Sequence, residues 1–154
     1  MSNHTNSSQR RWLVTGASRG LGHAIASLAI ARGDKVCLMA RGDDVTHLAK
    51  SLGQNAIAVR GDVSSAQDLG SAVAAMVDEW GGVDILVNNA GVSSFCALDD
   101  DAYEEIWHRA IAVMLTGQQR MVRAALPWLR QSDAARIVNI ASTEGLGATP
   151  GDTP

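Results

Sequence analysis

The 154-residue chain has little of what several function classes require. It has two cysteines, Cys37 and Cys96. Two do not build a disulfide framework, and no metal-ligand spacing surrounds them, so no metal site is expected. Cys37 lies in an apolar run, where a thiol acts as a small buried hydrophobe. A reducing cytoplasm is the compartment that fits. Basic clusters are lacking as well. The net charge is -3 and no Lys/Arg run stands out, so the footprint of a nucleic-acid binder is missing. Long apolar runs are absent: the uncharged stretch 24–31 is far too short to span a bilayer. The first eleven residues carry no apolar core of a signal peptide. Residues 1–10 are expected to form a disordered polar tail. The histidines His4, His23, His47 and His108 show neither ligand nor triad spacing. Tyrosine occurs once, at Tyr103, and lysine stops at Lys50.

What is present is a globular composition, 46% hydrophobic and 19% charged, long enough for one domain with a real core. The most informative stretch is TGASRGLG, Thr15 to Gly22. It follows a short apolar run (Trp12, Leu13, Val14) and precedes a longer one (Leu21, Ile25, Leu28, Ala29). A strand, a glycine turn and a helix in that order form a phosphate-binding entrance. Gly16 allows the sharp turn at the strand end. Gly20 and Gly22 are expected to keep the helix N-terminus bare, so that a pyrophosphate can approach its N–H groups. The spacing Gly-x-x-x-Gly-x-Gly differs from the common Gly-x-Gly-x-x-Gly fingerprint.

Along the chain, apolar runs of strand length alternate with helical patterns. Strands are expected at 11–15, 35–40, 56–60, 83–87 and 136–141. A helix over 21–32 stops at Gly33, and one over 43–52 is capped by Asp43 or Asp44. Ser64 or Ser65 caps a third helix, which runs to Trp80 with Leu69, Val73, Met76 and Val77 on one stripe. Residues 101–129 read as a long helix without one clean stripe. It is either buried on two sides or bent near Gly117, and Pro127 marks its last turn or a break. This alternation implies right-handed βαβ units and a doubly wound parallel sheet. Ligands then bind beyond the carboxyl ends of the strands. The candidates are 15–22, Arg41, Asp62 with Val63, 88–91, and Ser142.

TGASRGLG after the first strand, NNAG (Asn88 to Gly91) after the fourth, and IVNIAS ending at Ser142 resemble a classical short-chain dehydrogenase/reductase. The match spans nearly the whole chain after the tail. It implies a Rossmann-type α/β sheet of about five strands, order 3-2-1-4-5, within an NAD(P)-binding domain over 11–154. It also implies hydride transfer between nicotinamide and a carbonyl or secondary alcohol, of the 3-oxoacyl-reductase kind. On this resemblance Gly16, Ser18, Arg19, Gly20, Leu21 and Gly22 wrap the pyrophosphate. The Asp62 carboxylate accepts from the adenine amino group beside Val63, and Asn89, Ala90 and Gly91 lie along the ribose. The family's small-molecule substrates and its homodimers or homotetramers are implied likewise.

Charge decides which cofactor is expected. A ribose 2′-hydroxyl is usually held by an acid at the end of the second strand, and a 2′-phosphate needs positive charge there. This chain has Ala40 then Arg41, with Arg19 in the glycine loop. Two guanidiniums suit a phosphate through forked, charge-assisted bonds, so NADP is expected over NAD. Asp43 or Asp44 could instead take the ribose hydroxyls, but both fit helix capping better.

The catalytic side of the resemblance is thinner. Ser142 matches the family serine that binds the substrate oxygen. The family's acid/base tyrosine and its Tyr-x-x-x-Lys partner lie about a dozen residues further on, which from Ser142 falls just past Pro154. Tyr103 fits no catalytic position. Met114 stands where the family has an Asn that holds a relay water, and a thioether cannot replace that amide. The expectation is a domain truncated at its C-terminus, inactive alone, with a non-catalytic dinucleotide-binding module as the alternative. Phe95 and Cys96 are expected near the substrate mouth.

Overall fold

The structure, a computed structural model, describes residues 9–93 and 95–147. Most of the expected N-terminal tail and the end of the Gly/Thr/Pro loop (148–154) lie outside the described residues. The elements run β1 (Arg11–Thr15), α1 (Gly20–Ala31), β2 (Lys35–Ala40), α2 (Asp44–Leu52), β3 (Ala56–Arg60) and α3 (Ala66–Trp80). Then come β4 (Ile85–Asn88), α4 (Tyr103–Ile111), α5 (Gly117–Leu129) and β5 (Arg136–Asn139). All strand pairs are parallel, in the order β3-β2-β1-β4-β5. This is the Rossmann-type order expected from the motifs.

Successive strand residues point to opposite faces, and the two faces have separate cores. Leu13, Cys37, Met39 and Leu86 meet Leu69, Val73 and Met76 of α3 and Met121 and Leu129 of α5. Val14, Val36, Leu38 and Val87 meet Ala26 and Ala29 of α1 and Val45 and Ala49 of α2. β1, β2 and β4 are therefore covered on both sides, which is why their sequences are almost wholly apolar. Burial pushes the Cys37 thiol up to about 12, as fits an inert core residue.

Two expectations are corrected, and a third, the long helix, is resolved. The buried stripe of α1 is Gly22, Ala26 and Ala29, not the larger apolar set. Leu21 and Leu28 are more than half exposed. Small residues win because the helix lies close to the sheet. Asp43 stands at the cap position of α2 without a side-chain cap bond, while the Asp44 carboxylate accepts the first-turn Val45 N–H at 3.1 Å. Asp43 has helical backbone angles, so its carboxylate points away from the first-turn N–H groups and pairs with Arg60 instead. Of the two alternatives for the long helix, the irregularity near Gly117 is the one found. A five-residue π-helical turn, Ala112–Thr116, separates α4 from α5, and Pro127 sits inside α5 near its end. The break lies next to Gly117, where a Cβ would be 2.6 Å from the Val63 carbonyl oxygen. Glycine and the wide turn together let this helix approach the loop after β3.

The amino ends of the strands are tied by charge. Arg11 grips Asp84 through two forked bonds of 2.8 and 2.7 Å and a backbone N–H bond of 2.9 Å. The Trp12 indole N–H and the Arg10 backbone N–H both donate to Asp34, each at 2.9 Å. At the other side of the sheet, β5 is exposed along its length and is an edge strand among the described residues.

Candidate dinucleotide site

The carboxyl ends of the strands hold the chemistry. The three glycines of the first loop have different geometries. Gly16 adopts φ +63°, and a Cβ there would sit 2.9 Å from the Ala90 Cα. Gly20 adopts φ +56° and has open space above it. Gly22 is buried, and a Cβ would lie 2.5 Å from both the Gly16 carbonyl oxygen and the Asn89 amide nitrogen. Gly22 thus serves close packing between loop and helix. The bare approach to the helix end is left to Gly20.

The N-terminus of α1 lacks the partners that helix ends usually recruit. Arg19 at the cap is extended (φ -155°, ψ 173°) and makes no side-chain cap bond. No acid stands in the first turn. By contrast, α3 is capped by the Ser65 hydroxyl, which accepts from the Asp68 N–H at 3.2 Å.

Thr15 joins this loop to the one after β4. Its hydroxyl oxygen accepts the N–H groups of Asn89 and Ala90, each at 3.0 Å, and donates to the Val87 carbonyl at 3.4 Å. The Asn89 amide returns bonds to the Thr15 and Gly16 carbonyls at 2.9 and 3.2 Å. Buried Asn88 donates to the Asn139 side chain on β5 at 2.8 Å. After β3, Asp62 accepts from the Ser64 N–H and hydroxyl at 2.8 and 2.7 Å. The Ser64 backbone bond leads in holding the Asp62 carboxyl below its ordinary range, and Arg41 and Arg109 add to it through charge.

These loops enclose a cleft of about 460 Å³. Gly16, Ser18, Arg19, Gly20, Arg41, Asp62, Val63, Asn89, Ala90 and Gly91 line it. Of the residues expected from sequence, Leu21, Gly22 and Ser142 do not line it. Leu21 faces solvent because α1 turns Gly22 inward. Ser142 is exposed, and its hydroxyl accepts from the Glu144 N–H at 3.2 Å, capping a short 3-10 turn. Neither Phe95, which is exposed, nor Cys96, which is buried, lines the cleft. Met39, Ala40, Gly42, Asp44, Gly61, Val92 and Val113 complete the lining. Of these, Asp44 was expected from the sequence only as a helix cap or as an alternative holder of the ribose hydroxyls, and it lines the same cleft as Arg41. Most of them flank named residues at strand ends, so position alone could have found them. Val113 could not be found that way, since it reaches the cleft through the π-helical turn. Among the described residues no group of three His, Cys, Asp or Glu side chains could hold a metal ion. No helix of the described residues is long and apolar enough to cross a membrane.

The family model for short chain dehydrogenases matches residues 10–154. The chain belongs to the short-chain dehydrogenase/reductase family. A D-beta-hydroxybutyrate dehydrogenase of Cupriavidus necator is 36% identical over 142 residues, covering 89% of this chain and 54% of that protein. An L-sorbose reductase from Gluconobacter frateurii, solved with NADPH and L-sorbose, superposes with a TM-score of 0.89 at 28% identity. That match covers 94% of this chain and 57% of the reductase. A 3-ketoacyl-(acyl-carrier-protein) reductase from Brucella melitensis, solved with NADH, gives a TM-score of 0.86 at 31% identity, over 93% of this chain and 61% of the other. This short-chain dehydrogenase/reductase chain thus spans little more than half the length of the relatives it matches.

Proposed function

We propose that this chain forms the NADP(H)-binding part of an oxidoreductase that interconverts a carbonyl and a secondary alcohol, of the 3-oxoacyl-reductase kind. The observation that carries the reading is the meeting of Arg19 and Arg41 at one cleft beside the uncapped N-terminus of α1. A helix end free of acids favours a pyrophosphate. Two guanidiniums beside it favour a further phosphate on the ribose. The glycine geometry fits the same group: Gly20 leaves room where a side chain would stand, while Gly16 and Gly22 let Asn89 and Ala90 close in behind the loop.

Each residue has a stated task in this reading. Gly16, Ser18, Arg19 and Gly20 hold the pyrophosphate, with Gly22 packing behind them. Arg19 and Arg41 hold the 2′-phosphate. Asp62, ionised and oriented by Ser64, accepts from the adenine amino group, and Val63 packs beside it. Asn89, Ala90 and Gly91 lie along the ribose, braced by Thr15. The Ser142 hydroxyl accepts from Glu144, which leaves its proton to donate to a substrate oxygen. When bound, the nicotinamide supplies or takes up the hydride. The cytoplasm is the proposed compartment, and a homodimer or homotetramer the proposed assembly.

Residues 11–154 are proposed to belong to one dinucleotide-binding domain, and none of the described residues is proposed as the acid/base group. Tyr103, the chain's single tyrosine, stacks on Trp107 with ring centroids 6.4 Å apart, away from the cleft lining. Met114, at the place of the family's relay Asn, favours a second reading, a module that binds the dinucleotide without chemistry. NADPH oxidation with a 3-oxoacyl thioester separates the two. The 154-residue chain is expected to show none. Turnover by a longer product of the same coding sequence, carrying Tyr-x-x-x-Lys after Pro154, supports the oxidoreductase; a stop codon after Pro154 supports the module.

A further inference from the structure

Arg60 and Asp43 stand just outside the cleft, although their neighbours Arg41, Gly42, Asp44 and Gly61 line it. Arg60 ends β3 and reaches across to the turn that follows β2. Its Nε donates to the Arg41 carbonyl at 3.1 Å, and its Nη1 donates to Asp43 Oδ1 at 2.9 Å. One side chain therefore fixes the backbone of Arg41 and the carboxylate two residues later. The pair is exposed, with side chains 66% and 79% accessible, so it adds little to stability. Its consequence is the place of a negative charge.

Asp43 is separated from Arg41 by Gly42 alone. Freed from Arg60, its carboxylate has Arg41 as the adjacent cation in the sequence. A carboxylate on Arg41 would neutralise that guanidinium and repel a 2′-phosphate. It would also offer a ribose 2′-hydroxyl the acceptor that NAD sites use. Among the described residues Arg41 forms no ion pair, though its charge acts on Asp62 and Asp44 lines the same cleft, and Asp43 has one ion pair, with Arg60.

We infer that Arg60 is a positioning residue for cofactor selection: it holds Asp43 off Arg41, so that the Arg41 guanidinium is left without a carboxylate in direct contact and can take a 2′-phosphate. The inference rests on the NADP reading and deepens it. Arg60 touches no cofactor in this account. It acts through Asp43 and through the Arg41 backbone.

The test titrates the 154-residue chain with adenosine 2′,5′-bisphosphate and with 5′-AMP, which differ only in the 2′-phosphate. The chain itself is expected to prefer the bisphosphate. Arg60→Ala is expected to lower that preference by roughly threefold to tenfold, with 5′-AMP affinity held or raised. Asp43→Asn alone should leave the preference intact, and Arg60→Ala with Asp43→Asn should restore it. Because both side chains are exposed, circular dichroism should show the fold unchanged in each variant. An unchanged preference in Arg60→Ala overturns the inference. So does a double variant as poor as Arg60→Ala, since Arg60 would then be acting as a direct phosphate cation. If the unsubstituted chain shows no preference, the NADP reading itself fails, and that result is distinct from the other two.

Discussion

The Thr15 hydroxyl oxygen lies 3.0 Å from the backbone nitrogen of Asn89, and the Asn89 side chain bonds back to the Thr15 carbonyl at 2.9 Å. This two-way tie joins the glycine loop after β1 to the NNAG loop after β4. Thr15 is 2% exposed, so loss of its hydroxyl would leave the partly buried N–H groups of Asn89 and Ala90 without this acceptor. Thr15→Val is expected to cost about 1–2 kcal/mol in urea unfolding, and Thr15→Ser well under half of that. Equal losses for both would move the cause from the hydroxyl to the methyl.

The two later loop glycines should separate by mutation. Gly22→Ala brings a methyl into backbone, 2.5 Å from the Gly16 carbonyl oxygen, and is expected to destabilise by roughly 1–3 kcal/mol. Gly20→Ala meets nothing and strains only its positive φ, at about 1 kcal/mol. Thermal unfolding compares them. A Gly20→Ala variant that is the less stable of the pair would contradict the packing role given to Gly22.

Much of this was legible in the sequence because the sheet leaves strong marks. Buried parallel strands need continuous apolar runs, and VCLMA and ILVN show them. The order of strands and the loops that meet at their ends followed from motifs. What was not legible depended on distance. That α1 would bury Gly22, Ala26 and Ala29 and expose Leu21 and Leu28 depends on how near the helix lies to the sheet. Hydrophobicity alone ranks those residues the other way. The separate fates of Asp43 and Asp44 depended on Arg60, seventeen residues after Asp43. The π-helical turn left only a smeared stripe and a glycine as its trace. Ser142 was found by motif, but its place outside the cleft lining was not.

The Arg11–Asp84 clamp predicts a pH dependence. Burial raises the Asp84 carboxyl, but the bonds from Arg11 and Ser132 outweigh it and bring it down to about 2. A carboxyl depressed in the fold stabilises above its unfolded value and loses that contribution as pH falls through its folded one. Stability should therefore fall between about pH 4 and pH 2, and Asp84→Asn should remove roughly 2 kcal/mol at neutral pH. Chemical unfolding across that range measures both. A flat profile would show that the clamp is not coupled to folding.

The exposed β5 edge predicts association. Ile137 and Val138 are each 43% exposed on a strand with an unpaired side among the described residues. Flat apolar edges recruit other chains. Sedimentation velocity is expected to show concentration-dependent self-association, reduced by Ile137→Lys. Association undiminished by that change would place the contact elsewhere.

The central claim is that Arg19, Arg41 and the bare end of α1 make an NADP site. Calorimetric titration of the 154-residue chain with NADP+ and with NAD+ tests it most directly. The account predicts saturable binding of NADP+ at least tenfold tighter than NAD+, a gap of about 1.4 kcal/mol, which narrows when Arg19 and Arg41 are both changed to Ala. NAD+ binding as tight as NADP+ or tighter, or binding of neither, would contradict it.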